Sequence, residues 1–359
     1  MLILSSLLLA LPCVIPQDQI LTTSGSKLLG KLTTISKTEV QFENAAEEAQ
    51  TLSAAEVIAL HPQIRSELML RADSFLAAGD FQNAVNTFEL ASSEVGADWL
   101  APLASLRHGE SLLAWAVIDG TRAAEAKSTL EQWLTQWPDH FWSSRARIAL
   151  AQAQAATGDA DGATAALQAL ADEAFNENLG EAVLYRATMA RCRIYHNDGQ
   201  AQIAESRIKD LISKLERKVD TRETPSGLAS LFSEISDEAR TLLGDSLLQK
   251  GGFSAARTYW ESVLRNKRAG ASSKASAKIG LALEAIDKGE LRKAQLLLAG
   301  IIATLPNQSP AMAHALFVMG QVSSKNGDTP TPGSTYWNEL IDSHPGSPWA
   351  VQARQALGN

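Results

Sequence analysis

Along this chain the spacing of apolar positions changes twice. Residues 1–15, MLILSSLLLALPCVI, are apolar almost throughout. From 18 to 60 apolar and polar residues alternate in short runs, at 19–22, 28–35, 39–42, 51–52 and 57–60, with a turn at Ser24-Gly25-Ser26. Period-two runs rich in β-branched residues and bounded by short turns predict strands. From Pro62 to the end the period is helical.

Within the helical part a pattern recurs. Ala72, Ala151, Cys192, Gly244 and Ala282 are each followed twelve residues later by an alanine: Ala84, Ala163, Ala204, Ala256 and Ala294. Seven residues after the first member comes a glycine every time, at 79, 158, 199, 251 and 289. With glycine at about 7% of positions, five coincidences are on the order of 10⁻⁶ by chance. Four residues past each alanine stands a large apolar side chain: Phe88, Leu167, Ile208, Trp260 and Leu298. The columns predict helix hairpins. Small residues let two antiparallel backbones approach, the glycine supplies a turn conformation with positive φ, and the large residue fills the space against the next pair.

The segments FLAAGDFQNAVNTFELA and LLQKGGFSAARTYWESV closely resemble the tetratricopeptide repeat, including an aromatic two residues after the glycine (Phe81, Phe253). Two further units, through Gly109, Ala126 and Trp133 and through Gly320, Gly333 and Trp337, fit with insertions. Pro138, Pro306 and Pro345 each lie twelve residues beyond the small residue of a second helix, where that family stops the helix. The fold expected is mainly α: a tetratricopeptide-like α-solenoid of about seven hairpins over residues 62–359, closed by a capping helix at 348–357. Unit spacings of about 37 to 52 residues, and the ending YWNELIDSHPGSPWAVQARQAL, resemble the divergent repeat proteins of the bacterial envelope. Residues 217–233 break the array, as a loop or as a hinge between sub-arrays, and 326–334 read as a second loop. The stretch LLGKLTTISKTEVQFEN, with SAAEVIAL after it, resembles small SH3-like or Sm-like barrels, so 18–61 is expected to be a small β-domain. A core of that size is marginal alone and gains from docking on a neighbour.

Composition narrows the function. A net charge of −8 and pI near 5.4 argue against a nucleic-acid binder, and the β-region offers only Lys27, Lys31 and Lys37 as basic residues. The leader is too short to span a bilayer and has the length of a signal-peptide core. Residues 1–16 are therefore expected to be a cleaved signal, although no Lys or Arg precedes Lys27. A lipid anchor at Cys13 is disfavoured because Ala10 and Pro12 match a lipobox badly. Export is expected to place the protein in the periplasm, with no membrane span after signal removal.

No catalytic or metal constellation is present. The histidines at 61, 108, 140, 196, 314 and 344 have no HExxH spacing, and neither GxSxG nor a phosphate-cradling GxxxxGK[ST] occurs. The sequence predicts no enzyme and no cofactor. Trp133, Trp260 and Trp337 fall in packing columns, and Cys192 in a small-residue column. The resemblance implies that first helices line a concave surface that receives a peptide or partner helix. Arg186, Met189, Arg193 and His196 share one helix face there, and Arg145 sits equivalently in the preceding unit. This basic stripe is the candidate groove for a protein or peptide partner of acidic character. The paired Lys and Asn residues of carboxylate-clamp repeats are missing. Three readings stay open: an envelope scaffold, a tethering or regulatory subunit of an envelope enzyme, and a cytosolic adaptor.

Overall fold

Alternation in the first sixty residues resolves into five strands: β1 (Asp18–Thr22), β2 (Lys27–Ile35), β3 (Glu39–Glu43), β4 (Ala49–Ser53) and β5 (Val57–His61). The computed structural model describes residues 17–64, 66–94, 96–177, 179–307, 309–325 and 332–358. The expected leader and Cys13 therefore lie outside the described residues, as does 326–331 of the expected second loop. The strands form one antiparallel sheet in the order β4-β3-β2-β1-β5, and Ser53 caps a short 3-10 turn, Ala54–Glu56, ahead of β5. Register shifts at Leu32/Thr34 and Leu21/Thr22 bend the sheet. The buried Asp18 carboxylate accepts from the N–H groups of Leu32 and Gln63, tying the start of β1 to β2 and to the exit of β5.

Fourteen helices follow among the described residues: α1 (Glu67–Ala77), α2 (Phe81–Ala91), α3 (Leu100–Ala116), α4 (Arg122–Gln136), α5 (Ser143–Ala156), α6 (Ala160–Asn176) and α7 (Glu181–Asn197). Then come α8 (Ala201–Asp220), α9 (Ser226–Arg265), α10 (Ala271–Asp287), α11 (Leu291–Ile302), α12 (Pro310–Lys325), α13 (Gly333–Ser343) and α14 (Pro348–Leu357). Helix α9 is two arms joined at Gly251-Gly252, where the backbone leaves helical values. Counted that way, the helices pair into seven hairpins plus a terminal helix. Short polar side chains start several of them: Ser66, Asp80, Asp159 and Ser347 each accept from a backbone N–H in the first turn.

The repeat columns form the interior seams. Ala84, Ala126, Ala163, Ala204, Ala256 and Ala294 are fully buried, and Phe88, Leu130, Leu167, Ile208 and Leu298 are within 1% of it. At Gly79, Gly158, Gly199 and Gly289 the turn glycine has positive φ as expected. The fifth hairpin departs from this. Gly251 has φ −142 and its neighbour Gly252 carries the positive value of 67, so the turn is shifted by one residue. Tryptophan size is matched by glycine in the facing helices: a Cβ at Gly244 or Gly280 would collide with the Trp260 ring, and one at Gly320 with Trp337. The indole N–H of Trp133 donates to the Pro102 carbonyl at 2.8 Å, and that of Trp337 to Phe317 at 3.2 Å, so neither is buried unpaired.

The break expected over 217–233 is short. Helix α8 runs to Asp220 and α9 starts at Ser226, leaving five residues between them. The extra turns of α9 reach the β-domain: Ser226 Oγ donates to the Ser24 carbonyl at 2.6 Å and Leu228 N–H to Thr23 at 3.1 Å. This segment is a docking helix end rather than a hinge. At the far side, Gly79 in the first hairpin turn packs on Pro345 and Gly346 ahead of α14, so the array returns to its own beginning.

Candidate functional site

The β-domain lies on the first helices of the array and splits its apolar residues between two clusters. Ile20, Leu32, Phe42 and Leu60 join Met69, Leu103 and Trp142 from α1, α3 and the α4–α5 turn. Ile58 turns the other way, into a cluster with Ala182, Tyr185 and Met189 of α7 and Phe232 of α9. Between these two anchor points the surfaces separate and leave a cleft of about 720 Å³. One wall is β5. The other is the concave face of α3, α5 and α7, with Leu113, Val117 and Ile148 among its apolar members. A smaller hollow continues along the same helices past Val117, Gln152 and Arg193.

Charged contacts pin the rim. Lys37 reaches Glu173 at 2.5 Å and Glu177 at 3.6 Å, while its N–H donates to the Asp139 carbonyl. Burial disfavours ionised Glu173, but hydrogen bonds from Lys37 and Arg147 outweigh it and hold that carboxyl below its usual range. The hydrogen bond to Glu173 raises Lys37 in turn.

Three of the five residues of the expected basic stripe, Arg145, Arg186 and Arg193, line the cleft or its extension; Met189 and His196 do not. Met189 is 2% exposed and packs in the core, because its turn of α7 points at α8 and α9 rather than the concave side. Arg145 grips Glu110 of α3 with two hydrogen bonds of 2.6 Å. Arg193 is held by Glu238 of α9. His196 Nδ1 lies 3.0 Å from Ser246 Oγ, whose own proton goes to the Leu242 carbonyl, so the imidazole is the donor. Burial lowers the pKa of His196. Arg186 differs. Its Nη1 donates to the Ile58 carbonyl at 3.1 Å, and among the described residues no carboxylate lies within ion-pair distance. The residue is exposed and lines the cleft. Desolvation and the nearby charge of Arg145 pull its pKa down, with Glu234 opposing.

The partners Glu110 and Glu238 and the β5 wall were not visible in the sequence. Irregular unit spacing hides which residues of successive first helices meet, and nothing local marks where a separate β-domain docks. Cys192 is 1% exposed, and burial pushes its thiol up to about 12, consistent with a packing role. Among the described residues no group of His, Cys, Asp and Glu converges in the manner of a metal site, and no helix is long and apolar enough to cross a membrane.

No family model matches this chain, and no curated protein sequence matches it. Solved structures do. The apo form of the quorum sensor NprR from B. thuringiensis is similar at 12% identity and TM-score 0.45, over 81% of this chain and 79% of that one. NprR in complex with its cognate peptide NprX matches at 13% and 0.44, over 80% of both chains. The TPR domain of P58(IPK) matches at 13% and 0.28, over 80% and 77%. Likenesses of this size say nothing of a partner or an activity.

Proposed function

We propose that this protein is a non-catalytic interaction scaffold of the bacterial cell envelope, exported and folded as a tetratricopeptide-like solenoid that holds a protein partner. The observation that carries the reading is the cleft between β5 and the concave face of α3, α5 and α7. It carries apolar side chains along its helical wall and is rimmed by arginines, and its volume lies in the range of specific binding sites. The stripe residues Arg145 and Arg193 are already paired within the array, so they contribute to the rim rather than offering two free charges. An acidic partner segment is favoured at Arg186, which has no carboxylate within ion-pair distance among the described residues, Glu234 acting on it only from further off.

Val117 tests the cleft. It lies in the cleft wall and is 69% exposed, so Val117→Trp narrows the space with little effect on the fold. Tagged protein recovered from the envelope fraction should lose a defined co-purifying protein in this variant while keeping its melting curve. Retention of that protein by the variant would place the contact elsewhere. Location is tested separately, by N-terminal sequencing from the native host. The scaffold reading with export expects a mature terminus between about residues 11 and 18, and an intact Met1 in the cytosolic fraction would remove the envelope part of the proposal.

A further inference from the structure

The cleft has a wall of unusual kind: the edge of a sheet. Strand order leaves β5 paired on one side only, to β1. Which backbone groups face outward follows from the first hairpin. Thr22 N–H donates to the Ser26 carbonyl, so Thr22 and, two residues back, Ile20 direct their N–H and C=O groups at β2. Leu21 and Gln19 then face β5, opposite Ala59 and His61. Leu60, between these positions, must direct its backbone groups away from β1, while Ile58 is the extra residue at the register shift between Leu21 and Thr22. The Arg186 hydrogen bond to the Ile58 carbonyl shows that this oxygen also points to the helical side. All five residues of β5 line the cleft, an edge of about 17 Å at 3.4 Å per residue.

Three features of this edge converge. Native sheets commonly protect an exposed edge with charge, proline or a covering element; β5 carries no proline and no Lys or Arg, and ends in His61. Its edge opens into a space bounded by apolar side chains rather than into bulk solvent, so a backbone hydrogen bond made there is shielded from water. Arg186 stands at that edge with most of its donors unused, and a guanidinium favours a carboxylate in two-pronged contact. A helix in the cleft could not pair with the outward backbone of Leu60, because its own N–H and C=O groups are spent internally.

We infer that the cleft takes an extended peptide segment, which adds to β5 as a further strand, lays alternate apolar side chains on α3 and α5, and sets one carboxylate against Arg186. The inference rests on the scaffold reading above and specifies its binding mode.

The probe is a phage-displayed library of random decapeptides selected on the purified full chain, with the best binder then synthesised. Selected peptides should share an acidic residue at one position, and selection on Arg186→Gln should lose that preference. N-methylating backbone amides of the synthetic peptide one at a time should weaken binding tenfold or more at alternate positions and under twofold at those between. In hydrogen exchange, the amide of Leu60 should gain protection on binding. Val117→Trp separates the two levels of the argument. If it blocks the peptide but N-methylation shows no alternation, or the bound peptide is helical, strand addition is overturned and the cleft reading stands. If peptides bind equally well to Val117→Trp, the cleft itself is the wrong site. Failure of the library to yield any binder overturns the inference outright.

Discussion

The β-domain with hairpins α1 to α8 and the closing hairpins α10 to α14 share one column pattern yet are fastened differently. In the first region charged contacts bridge elements far apart in sequence: Lys37 to Glu173, Arg107 to Asp73, Arg145 to Glu110 and Arg147 to Glu173. Within α10 to α14, among the described residues, the ion pairs join residues only three or four apart. Contacts between those helices are apolar instead. Ala311 to Met319 of α12 are buried on nearly every face, and Trp349 of α14 stacks on His314 with ring centroids 3.9 Å apart. The difference follows from solvent. Where a cleft admits water, a charge can stay hydrated while it bridges two walls. Where surfaces close completely, an ion pair would lose hydration that its partner scarcely repays, and packing serves better.

The comparison can be broken most sharply through packing. Phe317→Ala should destabilise the closing hairpins by about 3–5 kcal/mol, read as an early phase in urea unfolding that leaves the exchange protection of the β-domain intact. Loss of protection in both regions together would show one cooperative unit instead of two.

A second effect runs with pH and touches both regions. Burial pushes His140, set beside Trp133 and Trp142, and His314, against Trp349, down to about 4. A depressed imidazole binds its proton more readily in the unfolded chain, whose value is near 6.5. Stability is therefore complete above about pH 6.5, falls as pH drops toward 4, and loses about 1–3 kcal/mol per histidine by then. His314→Gln should flatten this dependence for the closing hairpins alone, and His140→Gln for the first region alone, in urea midpoints between pH 7 and 4.

The charged fastening is worth less. Lys37→Met should cost about 1 kcal/mol or under, seen as faster amide exchange in the β-domain with no change in α10 to α14. The wild type should loosen similarly as pH falls below about 4, because Glu173, held below its usual range, gives stability that is present above the unfolded value and is lost on protonation. A Lys37→Met protein with an unaltered β-domain would show that the apolar contacts of Ile20, Leu60 and Ile58 suffice. The smallest effect is expected at Cys192. With its thiol buried and pushed up to about 12, it should resist alkylation in the native protein and react only on unfolding.

Much of this fold could be read from residue spacing. The strands fall where alternation put them, and the small and large columns of the repeats are the buried seams, because burial between antiparallel helices imposes a period that local sequence must carry. Cys192 and Trp133 were legible as packing residues for the same reason. Met189 and His196 were misplaced on the groove because helical spacing defines a face but not which neighbour that face meets; a small rotation of α7 turns Met189 into the core and His196 toward Ser246 of α9. The docking role of 226–233 was hidden as well, since its partner, Ser24, lies two hundred residues away.

The sequence by itself determined the seven hairpins, the strand alternation and the absence of any catalytic motif, all of which depend on contacts between residues near in the chain. Only the tertiary structure decided that the β-domain settles in the groove of the early repeats, that Arg145 and Arg193 are spent on Glu110 and Glu238, and that Arg186 faces the outward edge of β5. Those outcomes depend on how successive units rotate and where two separately folded surfaces fit. Such rotations are set by side-chain packing summed over many contacts, and no short stretch of the chain encodes them.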